Sequence, residues 1–144
     1  RREPLMTVRT QSGEDYLAML NRIRFFVSAD VGMGEYMIKN FEAMACGCVL
    51  FAYDPGEAEN RALGFEDMTH LVLYRSPAEL QDKLARLRAD PALAARIAAA
   101  GQALVAREYS FARIGERIAA ALQPPLRPAQ SPGLWELLRL KLRL

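Results

Sequence analysis

Three short apolar runs constrain this chain most: Phe25-Phe26-Val27-Ser28-Ala29, Val49-Leu50-Phe51-Ala52-Tyr53 and Leu71-Val72-Leu73-Tyr74. They are aromatic or β-branched and do not alternate with polar residues, which is the pattern of strands covered on both faces. Stretches of helical period lie between and after them. Strand, helix, strand, helix is the order of a parallel sheet wound with crossover helices, so the pattern predicts an α/β, Rossmann-like fold. Leu5-Met6-Thr7-Val8 is a weaker candidate for a fourth strand.

The helices are legible from period and punctuation. Tyr16, Leu17, Leu20 and Ile23 stand at helical spacing behind Glu14 and Asp15, two acids suited to a positive helix start. Met37, Ile38, Phe41, Met44 and Ala45 predict a helix over 35–46, with Gly47 in the glycine position that ends helices. A short helix follows the turn Asp54-Pro55-Gly56, around 57–63. Ser76-Pro77-Ala78-Glu79 is a capped start for a helix to about Ala89. Asp90-Pro91 opens an alanine-rich helix to about Glu108, and Ser110 caps a last one to about Leu122.

With 144 residues, 51% hydrophobic and 25% charged, the chain is the size and composition of one globular domain. A net charge of +2 is too near balance to argue for nucleic acid as a partner. No apolar run approaches the ~18 residues needed to span a bilayer. Cys46 and Cys48 form neither a disulfide framework nor a zinc site, and they read as small core residues of a reduced, cytosolic protein. Charge is uneven: residues 1–123 carry 15 Lys and Arg against 16 Asp and Glu, a balance of −1, and residues 124–144 carry +3. Pro124, Pro125, Pro128 and Pro132 rule out a continuous helix. The expected organisation is a body over 1–122, a proline-rich linker over 123–133 and a basic amphipathic helix over 134–144. That last helix either packs against another domain, the favoured reading, or lies on an anionic membrane surface.

Open parallel sheets bind ligands at the carboxyl ends of their strands. The loops to watch are therefore Asp30–Glu35, Asp54–Glu59 and Arg75. Gly32-Met33-Gly34 before a helix is either a tight turn or a phosphate cradle built from free N–H groups. Glu35 and Glu42, nearly two helical turns apart, would share a helix face, where they hold sugar hydroxyls or are simply solvated. Tyr36 either stacks on a base or covers the loop, and Lys39 and Asn40 either reach a phosphate or dress the helix surface. His70, the only histidine, reads as strand-edge surface ahead of a catalytic base.

The run Glu35-Tyr36-Met37-Ile38-Lys39-Asn40-Phe41-Glu42-Ala43-Met44-Ala45-Cys46-Gly47, followed by Cys48-Val49-Leu50, resembles the donor-binding signature of retaining GT-B glycosyltransferases of the group 1 superfamily. Asp54-Pro55-Gly56-Glu57, the stretch from Leu71 through Pro77-Ala78-Glu79-Leu80, and Asp90-Pro91 through Ala100-Gly101-Gln102 resemble later motifs of that family in the right order. One departure is clear. The family places seven residues between its two glutamates, which puts Gly34 at the first position and Glu35 one place late. This relaxed motif is similar to that of the CgeB-like branch.

The resemblance implies the C-terminal, nucleotide-sugar-binding half of a GT-B fold. It assigns donor binding to Gly32, Met33, Gly34, Tyr36, Lys39 and Glu42, with Glu42 on the ribose and Glu35 as the catalytic contact to the donor sugar. It implies a UDP- or GDP-sugar as substrate, with no further cofactor and no required metal; no Asp-x-Asp occurs in the sequence. The acceptor wall and the basic diphosphate clamp would lie in a missing N-terminal domain, so the isolated chain would be inactive. A cytoplasmic location follows, peripheral to the inner membrane if the tail binds lipid. The competing functional classes are a non-catalytic nucleotide-binding module and an interaction module that kept only the fold.

Overall fold

The computed structural model describes residues 13–29 and 34–124. Along the chain run α1 (Glu14–Leu20), β1 (Phe25–Ser28), α2 (Ile38–Ala45), β2 (Val49–Tyr53), α3 (Glu57–Leu63), β3 (Val72–Tyr74), α4 (Pro77–Ala89), α5 (Pro91–Glu108) and α6 (Phe111–Leu122). The strands pair in the order β1-β2-β3, all parallel, with Phe25 opposite Val49, Ser28 opposite Ala52 and Tyr53 opposite Tyr74. Helices α2 and α3 are the crossovers. The result is the mixed α/β, Rossmann-like arrangement that the apolar runs predict. The candidate strand at Leu5–Val8 and the tail at 134–144 lie outside the described residues, as do Gly32 and Met33.

Strand β2 carries the core. Leu50 and Ala52 point to one face, with Met44, Leu71, Leu73, Leu104 and Val105. Val49 and Phe51 point to the other, with Val72, Tyr74, Leu87, Ala94 and Ile97. A third cluster of Leu20, Ala43 and Cys48 fastens α1 to α2. Both faces of β2 are sealed, as continuous apolar runs require. Strand β1 departs from that expectation: Val27 is 49% exposed, because β1 has β2 on one side and no strand on its other edge among the described residues.

Two helix boundaries correct the sequence reading. Helix α1 ends at Leu20 and not Ile23; the N–H groups of Arg22 and Ile23 close tight turns onto Met19 and Leu20 carbonyls, which turns the chain into β1. Helix α2 begins at Ile38 and not Glu35, with Met37 extended at φ −81° and ψ 153°. The Tyr36 ring sits edge-on to Phe65 at 5.0 Å, and its hydroxyl donates to Asn60 Oδ1 at 2.6 Å, anchoring the chain just ahead of α2 to the far side of the site. Glu35 therefore lies in the loop, and the shared helix face expected for Glu35 and Glu42 does not exist.

Candidate functional site

The carboxyl ends of the three strands converge on Ser28, Asp54 and Arg75, and side chains lace them together. Tyr74 donates its hydroxyl to the Ser28 carbonyl at 2.9 Å, which ties β3 to β1 across β2. The Asp54 carboxylate accepts from the Gly56 N–H at 2.9 Å, from Asn60 Nδ2 at 2.9 Å and from Arg75 Nε at 2.8 Å. Burial works to raise the Asp54 carboxyl, and these three donors outweigh it, holding the group below its usual range. Asn60 passes the network on to Tyr36 through its amide oxygen. Burial, reinforced by the nearby Asp54, Glu59 and Asp67 charges, pushes the Tyr36 phenol well above its usual range, so it remains a donor. A cleft of about 570 Å³ opens beside this network, lined by Asp54, Asn60, Arg61, Phe65, Asp67 and Arg75 among others.

Glu42 stands one turn into α2, half-buried, and its Oε2 accepts from the Tyr16 hydroxyl at 2.9 Å. Burial first, and the Glu42 carboxylate second, push the Tyr16 phenol up to about 12. One carboxylate oxygen is thus oriented by α1, leaving Oε1 without a side-chain donor among the described residues. Glu42 also borders an apolar groove of about 420 Å³ between α2, α5 and α6, whose walls include Ile38, Phe41, Tyr109 and Phe111.

The start of α2 has no side-chain cap among the described residues; the Asn40 N–H donates to the Met37 carbonyl at 2.9 Å, and the N–H groups ahead of it have no intrahelical partner. Gly34 holds φ +68° with open space around it, a conformation that side chains rarely adopt. Glu35 and Lys39 are exposed. Asn40 is only 4% exposed, and its Oδ1 has no hydrogen-bond partner among the described residues, so it faces the interior and not the helix surface. Tyr36 has its ring against Phe65 and its hydroxyl on Asn60.

His70 immediately precedes Leu71 and β3, at the opposite edge of the sheet from Ser28, Asp54 and Arg75. Cys46 and Cys48 are free thiols; burial pushes both up, and Cys48 Sγ donates to the Leu20 carbonyl at 3.4 Å. Among the described residues no three His, Cys, Asp or Glu side chains cluster as a metal ion would need.

The match that decides the family covers this whole framework: a family model described as glycosyl transferase-like fits residues 5–120. The chain belongs to that glycosyl transferase-like family. Neither a curated protein nor a solved structure matches it. In this glycosyl transferase-like chain, Tyr16 and Asn60 are the candidate site residues that sequence reasoning missed, while Asp54 and Arg75 lie in the strand-end loops it flagged without assigning them a role. Tyr16 and Asn60 carried only helical spacing as a signal, and their partners lie 26 and 24 residues away. Asp54 and Arg75 had a better signal, since each directly follows a predicted strand. No helix of the described part is long and apolar enough to cross a membrane.

Proposed function

We propose that this chain is the donor-binding half of a retaining glycosyltransferase, resembling the CgeB-like branch, and that it holds a UDP- or GDP-sugar at the carboxyl edge of its sheet. The observation that carries the reading is Glu42, a carboxylate on the first turns of α2 with one oxygen fixed by Tyr16 and the other available. A ribose diol donates two hydroxyl protons, and a fixed carboxylate accepts them in charge-assisted bonds. The uncapped start of α2, reached through Gly34, offers N–H groups and the positive dipole end to a diphosphate. As the donor's glycosidic bond breaks, negative charge grows on that diphosphate, so groups aimed at it favour the transition state over the ground state. Lys39 adds a cation on the same turn, and Glu35 contacts the donor sugar. The Gly32-Met33-Gly34 stretch lets the backbone approach the phosphates.

The acceptor, a glycan or a lipid-linked sugar, is held by a further domain, with the hexosyl transfer taking place between the two in the cytoplasm. The displaced Glu35, exposed and off α2, favours a second reading in which the nucleotide is bound without turnover. Donor hydrolysis by the whole protein separates the two readings.

Titrating UDP and GDP into the 144-residue chain while following backbone amide shifts tests the binding claim. Perturbations should centre on Gly34 to Glu42. Glu42→Gln should weaken binding by roughly ten- to a hundred-fold, the equivalent of about 1.5–3 kcal/mol for a lost bond to a charged group, with unchanged circular dichroism. Equal affinity in the variant removes Glu42 from the ribose.

A further inference from the structure

Helix α6 carries an apolar face that the described residues leave largely uncovered. Phe111 is 95% exposed, Leu122 62%, Ile118 56% and Ile114 36%. At 100° per residue these four fall on one side, and Arg113, Glu116 and Arg117 fall on the other. The stripe does not stop at the helix: Phe111 is also a wall of the apolar groove that runs to Ile38 and Glu42 on α2. A contiguous apolar surface of this kind marks a docking site.

We propose that its occupant is the chain's own segment Leu134–Leu144, folded back antiparallel along α6 toward the groove. Length agrees. Twelve residues of α6 span about 18 Å, and eleven helical residues span about 17 Å, so the two match end to end. The eleven residues 123–133 between them reach at most about 36 Å extended, more than a return turn needs. Composition agrees as well: Leu134, Trp135, Leu137, Leu138, Leu140, Leu142 and Leu144 give the segment seven apolar residues of eleven.

Charge fixes the direction. Arg139, Lys141 and Arg143 all lie in the second half of the segment, and Glu136 in the first. The groove at the Phe111 end has a single charged wall residue, Glu42. An antiparallel return brings the basic half to that carboxylate and leaves Glu136 beside the far end of α6. The parallel alternative sets the acid nearer Glu42 and requires a longer connection. The docking itself stands on the α6 face and the segment's pattern and holds whether or not the chain binds a nucleotide; only the direction draws on Glu42, the carboxylate that the proposed function gives to the ribose.

Trp135 is the only tryptophan in the chain, so its fluorescence reads the segment alone. In the full-length chain, at concentrations where it sediments as a monomer, emission should be shifted to the blue of free tryptophan and acrylamide quenching should be several-fold weaker. The double variant Ile118→Asp with Leu122→Asp changes two exposed positions, so the far-UV spectrum should not change, while emission and quenching return to those of free tryptophan. Four outcomes overturn the proposal. Trp135 in the parent behaves as free tryptophan; its shielding survives the double variant; its shielding appears only as the chain self-associates, which assigns the face to a second copy; or it appears only with anionic vesicles, which assigns the segment to a membrane surface.

Discussion

Glu42 and Tyr16 show how much of this site depends on a single hydrogen bond. A carboxylate on a helix surface samples several rotamers, and the Tyr16 hydroxyl removes that freedom at Oε2. The bond also has a pH signature. Tyr16 moves from an ordinary value of 10.0 to about 12, so its neutral form is favoured in the folded chain. A phenol raised on folding contributes stability that is complete below pH 10 and is lost as pH rises toward 12. Tyr16→Phe should therefore lower stability near neutral pH by about 1 kcal/mol, the net worth of one hydrogen bond, and should flatten the alkaline limb of the unfolding profile. Denaturant melts between pH 7 and 11 check this. If the limb keeps its slope in the variant, Tyr16 does not titrate as the contact to Glu42 requires. The same variant should also weaken UDP or GDP binding less than Glu42→Gln does, since the carboxylate remains.

At the scale of elements, α5 packs against the turn before β3 with no room for a side chain at Gly101. A Cβ placed on Gly101 would stand 2.4 Å from the His70 carbonyl oxygen and 3.1 Å from Met44 Cε. The first of those contacts is backbone, which cannot swing aside. Gly101→Ala should cost about 1–3 kcal/mol through overpacking, against the usual gain of replacing a mid-helix glycine, and a lowered Tm by calorimetry would show it. An unchanged or raised Tm means α5 can slide away from His70 freely. What the sequence carried and what it hid divide along the same line. Signals within a few residues were legible: Ser76 Oγ accepts from the Glu79 N–H at 3.2 Å, Asp90 caps Leu93 at 2.9 Å, Ser110 caps Arg113, and Gly47 takes a left-handed φ of +76° after α2. Signals across the fold were not. The start of α2 moved three residues because Tyr36 is held by Phe65 and Asn60, partners that no local period announces. Gly101 stood in the sequence as part of a family-like run, and the His70 carbonyl and Met44 Cε supply the physical reason for a glycine there. For the candidate site, the family-like run pointed to Glu42 and the loop before it, while the hydrogen bonds that join Asp54, Asn60 and Tyr36 needed the fold.

For the molecule as a whole, α5 decides whether the two faces of the sheet stand or fall together. Its first half sends Ala94 and Ile97 into the cluster with Phe51, Val72 and Tyr74. Its second half sends Leu104 and Val105 into the cluster with Met44, Leu50 and Leu73 on the opposite face. Gln102 Nε2 reaches the Ala45 carbonyl at 2.8 Å and the Tyr109 ring lies 5.2 Å from Phe41, so the second half runs alongside α2. One helix, α5, and two strands, β2 and β3, therefore belong to both clusters, and neither face can melt without stripping the other. Ile97→Ala and Leu104→Ala, at positions 1% and 5% exposed, should each cost about 2–5 kcal/mol from lost burial and the cavity left behind. More tellingly, each variant should still unfold in one transition, with far-UV circular dichroism and tyrosine signals sharing a midpoint in urea. The double variant would lose a sum comparable to the whole stability of a domain, about 5–15 kcal/mol, and should not fold. Separate midpoints in either single variant would mean that α5 couples the faces weakly and that the sheet carries two cores instead of one.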